Sequence, residues 1–112
     1  MGRSGTDEHR LEPPIKAVVD ATNRGDGQGF VNAFAKDATL SDWGEVHTGR
    51  REIGAWDKAH NTGRRARLDV TGVSRVAGEV LVLLKVTRDD ETEPATWGFR
   101  VDGRTVASLE IG

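Results

Sequence analysis

Residues 66–112 read ARLDVTGVSRVAGEVLVLLKVTRDDETEPATWGFRVDGRTVASLEIG, and their pattern decides the fold class. Apolar side chains recur with the two-residue period of a strand. Residues 66–76 carry Leu68, Val70, Val73 and Val76. Residues 93–101 put Ala95, Trp97, Phe99 and Val101 on one face and Thr96, Gly98 and Arg100 on the other. Residues 105–111 form a last strand. Between the strands stand turn signals: Ala77-Gly78, the charged run Asp89 to Thr92, and Asp102-Gly103. Residues 79–88 differ in being apolar on both faces, Val80, Val82, Leu84 and Val86 against Leu81 and Leu83. Such a strand belongs in mid-sheet with both sides covered.

Upstream the period is helical. Pro13 and Pro14 suit a first helical turn, and Ile15, Val18, Val19 and Thr22 then follow the i, i+3, i+4, i+7 spacing. Asn23-Arg24-Gly25 is a stop, and Asp26 is a good N-cap for a second helix. Phe30, Val31, Ala33 and Phe34 give that helix its apolar face, while Gly27 and Gly29 weaken its first turn. Ala38, Leu40 and Asp42 then alternate with Thr39 and Ser41, so a short strand turns the Asp42 carboxylate inward. A turn at Trp43-Gly44-Glu45 and a short extended piece, Val46-His47-Thr48, follow. Gly49 and Glu52 are spaced as an N-cap and its N3 acid, opening a third helix over Arg50 to His60. Its face carries Ile53, Trp56, Asp57 and His60.

Helices first and a strand meander after is the α+β order. Three helices cover one face of a sheet. The second apolar face at 79–88 then calls for other cover, and a homodimer is the economical expectation. The chain has 112 residues, a formal net charge of -2 and no cysteine. That size means one core. The absence of cysteine excludes disulfides, thiolate metal sites and a thiol nucleophile. The longest apolar run, Val80 to Leu84, is too short to span a bilayer. Residues 1–10, MGRSGTDEHR, hold no apolar signal segment, so a cytoplasmic protein is expected, with a flexible N-terminal tail over 1–12 and one domain over 13–112. Arg64, Arg65 and Arg67 are basic, but the slightly acidic balance argues against nucleic acid as a partner.

The stretch Ala21 to Asp26, then Phe30 to Phe34, Ala35 to Asp42 and Thr48 to Ile53 resembles the nuclear-transport-factor-2-like superfamily, in its SnoaL-like branch of polyketide cyclases and ketosteroid isomerases. Trp97 to Ala107 resembles that family's last hairpin. The resemblance implies a cone, with a strongly curved antiparallel sheet closed by three helices around a pocket. It also implies a dimer and no cofactor. It matches Asp42 to the isomerases' catalytic aspartate, Val18 to their tyrosine acid and Trp97 to their second oxyanion acid. This chain has no tyrosine at all. With the base kept and both oxyanion donors lost, the specific ketosteroid isomerase activity is rejected, because oxyanion stabilisation is usually the largest catalytic contribution.

The candidate catalytic residues are Asp42 and His60. A carboxyl group taken partly out of water holds a proton more readily, which suits an acid or base. The plainer reading is a strand-end aspartate bonded to nearby backbone N–H groups. His60 could pair with Asp42, or could stand solvated at the helix border with Asp57. Asp57 and His60 lie one turn apart, but with only His47 as a further imidazole no metal is expected. Trp43, Trp56, Asp57, Trp97, Phe99 and Val18 are the candidate substrate-binding residues. The aromatic ones either wall a cavity for a flat ligand or fill a small core. On the last strand, either Ser108 and Glu110 or Ala107, Leu109 and Ile111 face inward, since one residue of register swaps the faces. Two functions follow: a small-molecule enzyme doing isomerisation, cyclisation or hydration on a hydrophobic carbonyl compound, or a non-catalytic ligand-binding or dimerisation module. A third is a protein-interaction subunit using the Arg64–Arg67 edge and the Asp89–Glu93 turn.

Overall fold

The computed structural model describes residues 9–112. Residues 1–8 of the expected tail lie outside the described residues. The Arg75 guanidinium holds the segment just after them, donating to the Arg10 carbonyl at 2.8 Å and to both Glu12 oxygens at 3.1 and 3.0 Å.

Helix α1 spans Pro13–Asn23, with proline in its first turn, and buries Ile15, Val18, Val19 and Thr22. Gly25 ends the turn that follows with φ +71°, a left-handed conformation glycine adopts without strain. Helix α2 spans Gly27–Asn32, and its Gly29 N–H donates to the Asp26 carboxylate at 2.8 Å. It stops short of Ala33 and Phe34, both expected on its face. Phe34 instead begins strand β1, Phe34–Asp42, opposite Val106, and the Val106 N–H donates to the Ala33 carbonyl at 2.8 Å. Sheet pairing therefore overrides a helix already weakened by two glycines.

Strand β2 is Glu45–Thr48 and helix α3 is Gly49–His60. The cap of α3 is Thr48 rather than Gly49, and Glu52 accepts the Thr48 N–H at 2.8 Å. A 3-10 turn, Thr62–Arg64, leads to β3 at Arg67–Val76, β4 at Glu79–Arg88, β5 at Glu91–Asp102 and β6 at Thr105–Ile111. The sheet is open, in the order β2-β1-β6-β5-β4-β3. One ladder departs from the antiparallel expectation: β1 runs parallel to β6. A parallel pair needs a long crossover, which α3 and the meander between them provide. The hairpin turns Trp43-Gly44, Ala77-Gly78 and Asp89-Asp90 each have two residues at positive φ, the geometry that matches strand twist.

The helices fill the concave face. Leu40, Leu68, Val82, Leu84, Trp97, Phe99, Val106 and Leu109 meet them, all buried. Leu109 and Ile111 are inward at 1% and 8% exposure, which leaves Ser108 and Glu110 outward. Register shifts at Val70/Gly72 and Arg100/Val101 mark bulges, which bend a sheet. On the outer face of β4, Leu83 is exposed.

One polar group lies deep. Asp57 is 3% exposed and Asn61 is fully buried. Asn61 Nδ2 donates to Asp57 Oδ1 and to Thr22 Oγ1, both at 2.9 Å, and the Thr22 hydroxyl donates to the Val18 carbonyl at 2.9 Å. The Thr62 N–H reaches Asp57 Oδ1 at 3.2 Å, and the Thr62 hydroxyl donates to Asp57 Oδ2. These bonds tie the end of α3 to α1. Gly27 passes so close that a Cβ there would come within 3.2 Å of both Asp57 Oδ2 and Thr62 Oγ1.

Asp57→Ala strips these donors of their acceptor and leaves them buried. The expected loss is about 3 kcal/mol, read by urea unfolding. Two other carboxylates set a pH dependence. The Gly29 N–H, then Arg24, hold the Asp26 carboxyl below its ordinary value, and the Arg75 hydrogen bond does the same for Glu12. Both ionise more readily folded than unfolded. Their stabilisation is therefore complete above the unfolded values near about pH 4 and is lost as pH falls through the lower folded ones. The urea-midpoint gap between wild type and Glu12→Gln/Asp26→Asn should narrow across that fall, and a gap that widens would refute the assignment.

Candidate functional site

The site is assembled by strand register. Asp42 ends β1 beside Ile111 of β6, and Ile111 lies opposite Trp97 of β5. Trp97 pairs with Val82 of β4, and two residues back along each strand stand Ala95 with Leu84, Glu93 with Val86, and Glu91 with Arg88. All share the concave face, because side chains two apart along a strand point the same way. At the open end of the sheet, away from the helix-filled core, this leaves a hollow of about 340 Å³. Asp42, Trp43, Trp97, Ile111, Val86 and Ala95 line it, and His60 and Arg64 look across from the end of α3 and the turn after it. Arg88, Asp89, Glu91 and Glu93 form its rim.

Asp42 is half-buried and fixed by a side chain, not by the backbone N–H groups expected of a strand-end aspartate. Trp56 Nε1 donates to its Oδ2 at 2.9 Å. The other carboxylate oxygen has no protein partner among the described residues, so the group is oriented and still able to accept. His60 is exposed, with its ring centroid 6.0 Å from that of Trp56. The Arg88 guanidinium donates to the His60 carbonyl at 2.7 Å, and Arg64 pairs with Asp89. Thus both arginines of the hollow bind protein groups, while Glu91 and Glu93 have no ion pair among the described residues.

Of the residues singled out in the sequence, Asp42, His60, Trp43 and Trp97 meet at the hollow. Trp43 is 81% exposed, on a turn at φ +51°, and stands at the mouth. Trp56 touches the site through its N–H; its ring packs on Phe30 at 6.0 Å and edge-on to Trp97 at 6.4 Å. Phe99 and Val18 are fully buried in the core. Asp57 faces the network with Asn61 and Thr62, neither at a solvated border nor at the hollow. The aromatic residues therefore divide: most fill the core, and a polar opening remains.

Arg88, Glu91 and Glu93 escaped the sequence reading as residues of the hollow: Asp89 to Thr92 reads as a charged turn, and Arg88 and Glu93 end strands whose apolar residues alone were assigned a face. The signal was present. The alternation Phe99, Trp97, Ala95 extends to Glu93 and Glu91, and Val82, Leu84, Val86 extends to Arg88.

No family model matches the chain, and no curated protein matches it. Solved structures do. A candidate polyketide cyclase from Sinorhizobium meliloti superposes with a TM-score of 0.82 at 24% identity, over 91% of this chain and 95% of that one. A protein of ketosteroid-isomerase-like fold from Catenulispora acidiphila, in complex with trimethylamine, gives 0.74 at 18% identity over 92% and 86%. An NTF2-like protein of unknown function from Cytophaga hutchinsonii gives 0.76 at 10% identity over 92% and 90%. The chain therefore has the α+β cone fold shared by nuclear-transport-factor-2-like, SnoaL-like and ketosteroid-isomerase-like proteins.

Proposed function

We propose that the hollow is a small-molecule site at which Asp42 moves a proton on a carbonyl compound. The observation that carries this reading is the Trp56–Asp42 hydrogen bond, which holds a residue lining the cavity and leaves its other carboxylate oxygen without a partner among the described residues. In the step, Asp42 takes a proton from the carbon beside the carbonyl. The C–H bond breaks, its electron pair passes into the enolate, and the proton returns from Asp42 to the same or another carbon. That return gives exchange or isomerisation with no net change in atoms. His60, exposed and lining the same hollow, relays the proton to solvent. Half of the lining residues are ionisable, so the preferred carbonyl compound carries polar substituents beside any apolar ring.

A second reading, a binding protein without catalysis, is favoured by Glu91 and Glu93. Unpaired carboxylates beside the indoles of Trp43 and Trp97 suit an organic cation. The neighbour solved with trimethylamine is in keeping with it. For either reading we propose a homodimer in which a second copy covers Leu81 and Leu83. Leu83→Lys should then convert dimer to monomer in sedimentation velocity, and a wild type that sediments as a monomer at all concentrations defeats the proposal.

The catalytic test is deuterium incorporation at the α-carbon of a panel of small cyclic ketones and β-keto esters, followed by proton NMR. Asp42→Asn keeps an oxygen for the Trp56 N–H and loses the base, so exchange should fall about 100-fold or more. Undiminished exchange in Asp42→Asn removes Asp42 from the mechanism. Absence of exchange in wild type, with trimethylammonium binding retained, selects the second reading.

A further inference from the structure

Neither its turn nor the core explains Trp43. It opens the turn between β1 and β2 at φ +51°, a conformation that asparagine or glycine takes at least cost and a bulky side chain rarely adopts. At 81% exposure its ring adds little to the core. A residue kept at such cost points to what its ring touches. Trp43 lines the hollow, and it also lines a groove of about 370 Å³ that contains Leu81, Gly98 and Glu110. Those three stand in one row across β4, β5 and β6, and Leu81 alternates with buried Val80 and Val82, so the groove lies on the convex face. Ile111 and Gly112 line both cavities as well, so at this end of the sheet the two share a wall.

The convex face has the character of an interface. The large apolar residues exposed among the described residues are Trp43, Val46, Val76 and Leu83. Val46 lies opposite Ser41 and Val76 opposite Glu79, and both partners point outward because they alternate with buried Leu40 and Val80. Leu83 shares that face, and Trp43 stands at its edge. Apolar exposure is thus gathered on one side.

Charge says what covers it. A Cβ at Gly98 would come within 2.6 Å of Glu79 Oε2, so the Glu79 carboxylate lies over Gly98, beside Glu110. At this end of the face Glu79 and Glu110 outnumber Arg100. At the other end, past Leu81 and Leu83, Lys85 and Arg67 outnumber Asp69. None of these six makes an ion pair among the described residues. An apolar strip with acid in excess at one end and base at the other complements itself when two copies meet antiparallel about a two-fold axis.

We infer that a second copy, laid antiparallel on the convex face, covers Trp43 and so completes the mouth of the hollow, which couples ligand binding to self-association. This rests on the ligand and homodimer readings proposed above and is independent of whether Asp42 catalyses. A ring free in solvent must give up its rotamer freedom when a ligand packs on it. In the dimer that freedom is already gone, so the ligand binds more tightly. Linkage makes the gain mutual: the ligand tightens the dimer by the same factor.

Acrylamide quenching of tryptophan emission reports Trp43, because Trp56 and Trp97 are only 2% and 1% exposed. Wild-type quenching should weaken as the dimer forms with rising concentration, and in Leu83→Lys it should stay strong throughout. Sedimentation velocity and binding titrations with trimethylammonium and with cyclohexanone, one probe for each reading of the hollow, then measure the coupling. The probe that binds should tighten the wild-type dimer about fivefold, and Leu83→Lys, which alters only the convex face, should bind it about fivefold more weakly. Trp43→Asn should fold well, since Asn-Gly is the favoured pair for this turn, and the dimer it forms at high concentration should not respond to the probe. Equal quenching of monomer and dimer overturns the inference, as does equal probe affinity in Leu83→Lys and the wild-type dimer. A wild type that never dimerises overturns it together with the homodimer. Binding of neither probe defeats the ligand reading instead, and the quenching result then decides alone whether the second copy covers Trp43.

Discussion

The parallel ladder between β1 and β6 is the constraint on which the site depends. In an antiparallel pairing, Asp42 would lie beside the start of β6, near the closed end of the core. Parallel pairing brings the end of β1 to the end of β6, so Asp42 meets Ile111 and, one strand on, Trp97. Phe34 pays no helical penalty for this, because α2 is too short and glycine-rich to hold it. The same ladder carries Leu40 beside Leu109, so register error would cost core burial as well as the site. The candidate site and the core are thereby fixed by one set of backbone bonds.

Along each strand the concave face changes character at the same level. Val80, Val82, Leu84 and Val86 give way to Arg88, and Phe99, Trp97 and Ala95 give way to Glu93 and Glu91. The helices end at that level too: α3 stops at His60, and the polar network of Asp57 and Asn61 anchors its end to α1. A short helix beneath a longer sheet leaves the far end of the sheet uncovered. The hollow is that uncovered end. It stays polar because carboxylates and guanidinium groups there retain water, whereas deeper positions could keep them only with partners.

Much of this was legible in the residues. The three helices, the meander and the inward turn of Asp42 all follow from period and capping. The parallel ladder was not, because pairing between the first and last strands leaves no local mark. The role of Asp57 was hidden for a related reason: its partners Thr22 and Asn61 come together only when α1 packs on α3. Helical spacing put Asp57 beside Trp56 and Ile53 and could not say which neighbour each would find. Arg88, Glu91 and Glu93 were lost differently. Glu91 reads as part of a turn, and Arg88 and Glu93 end strands whose faces were assigned through their apolar residues alone.

Trp56 and Trp97 show how a site can be built from residues whose first duty is filling. Either could be a phenylalanine if packing were the whole requirement, since both rings are nearly fully buried and make edge or stacked contacts with aromatic neighbours. An indole in a core brings a donor that must be answered. At 56 the answer is Asp42, which gains a fixed orientation from it. At 97 no acceptor meets the indole nitrogen among the described residues, and the ring lines the hollow. The chain has no tyrosine, so no phenolic donor lines the hollow. Trp56 therefore gives the hollow one oriented acceptor, through a side chain that the core needs in any case.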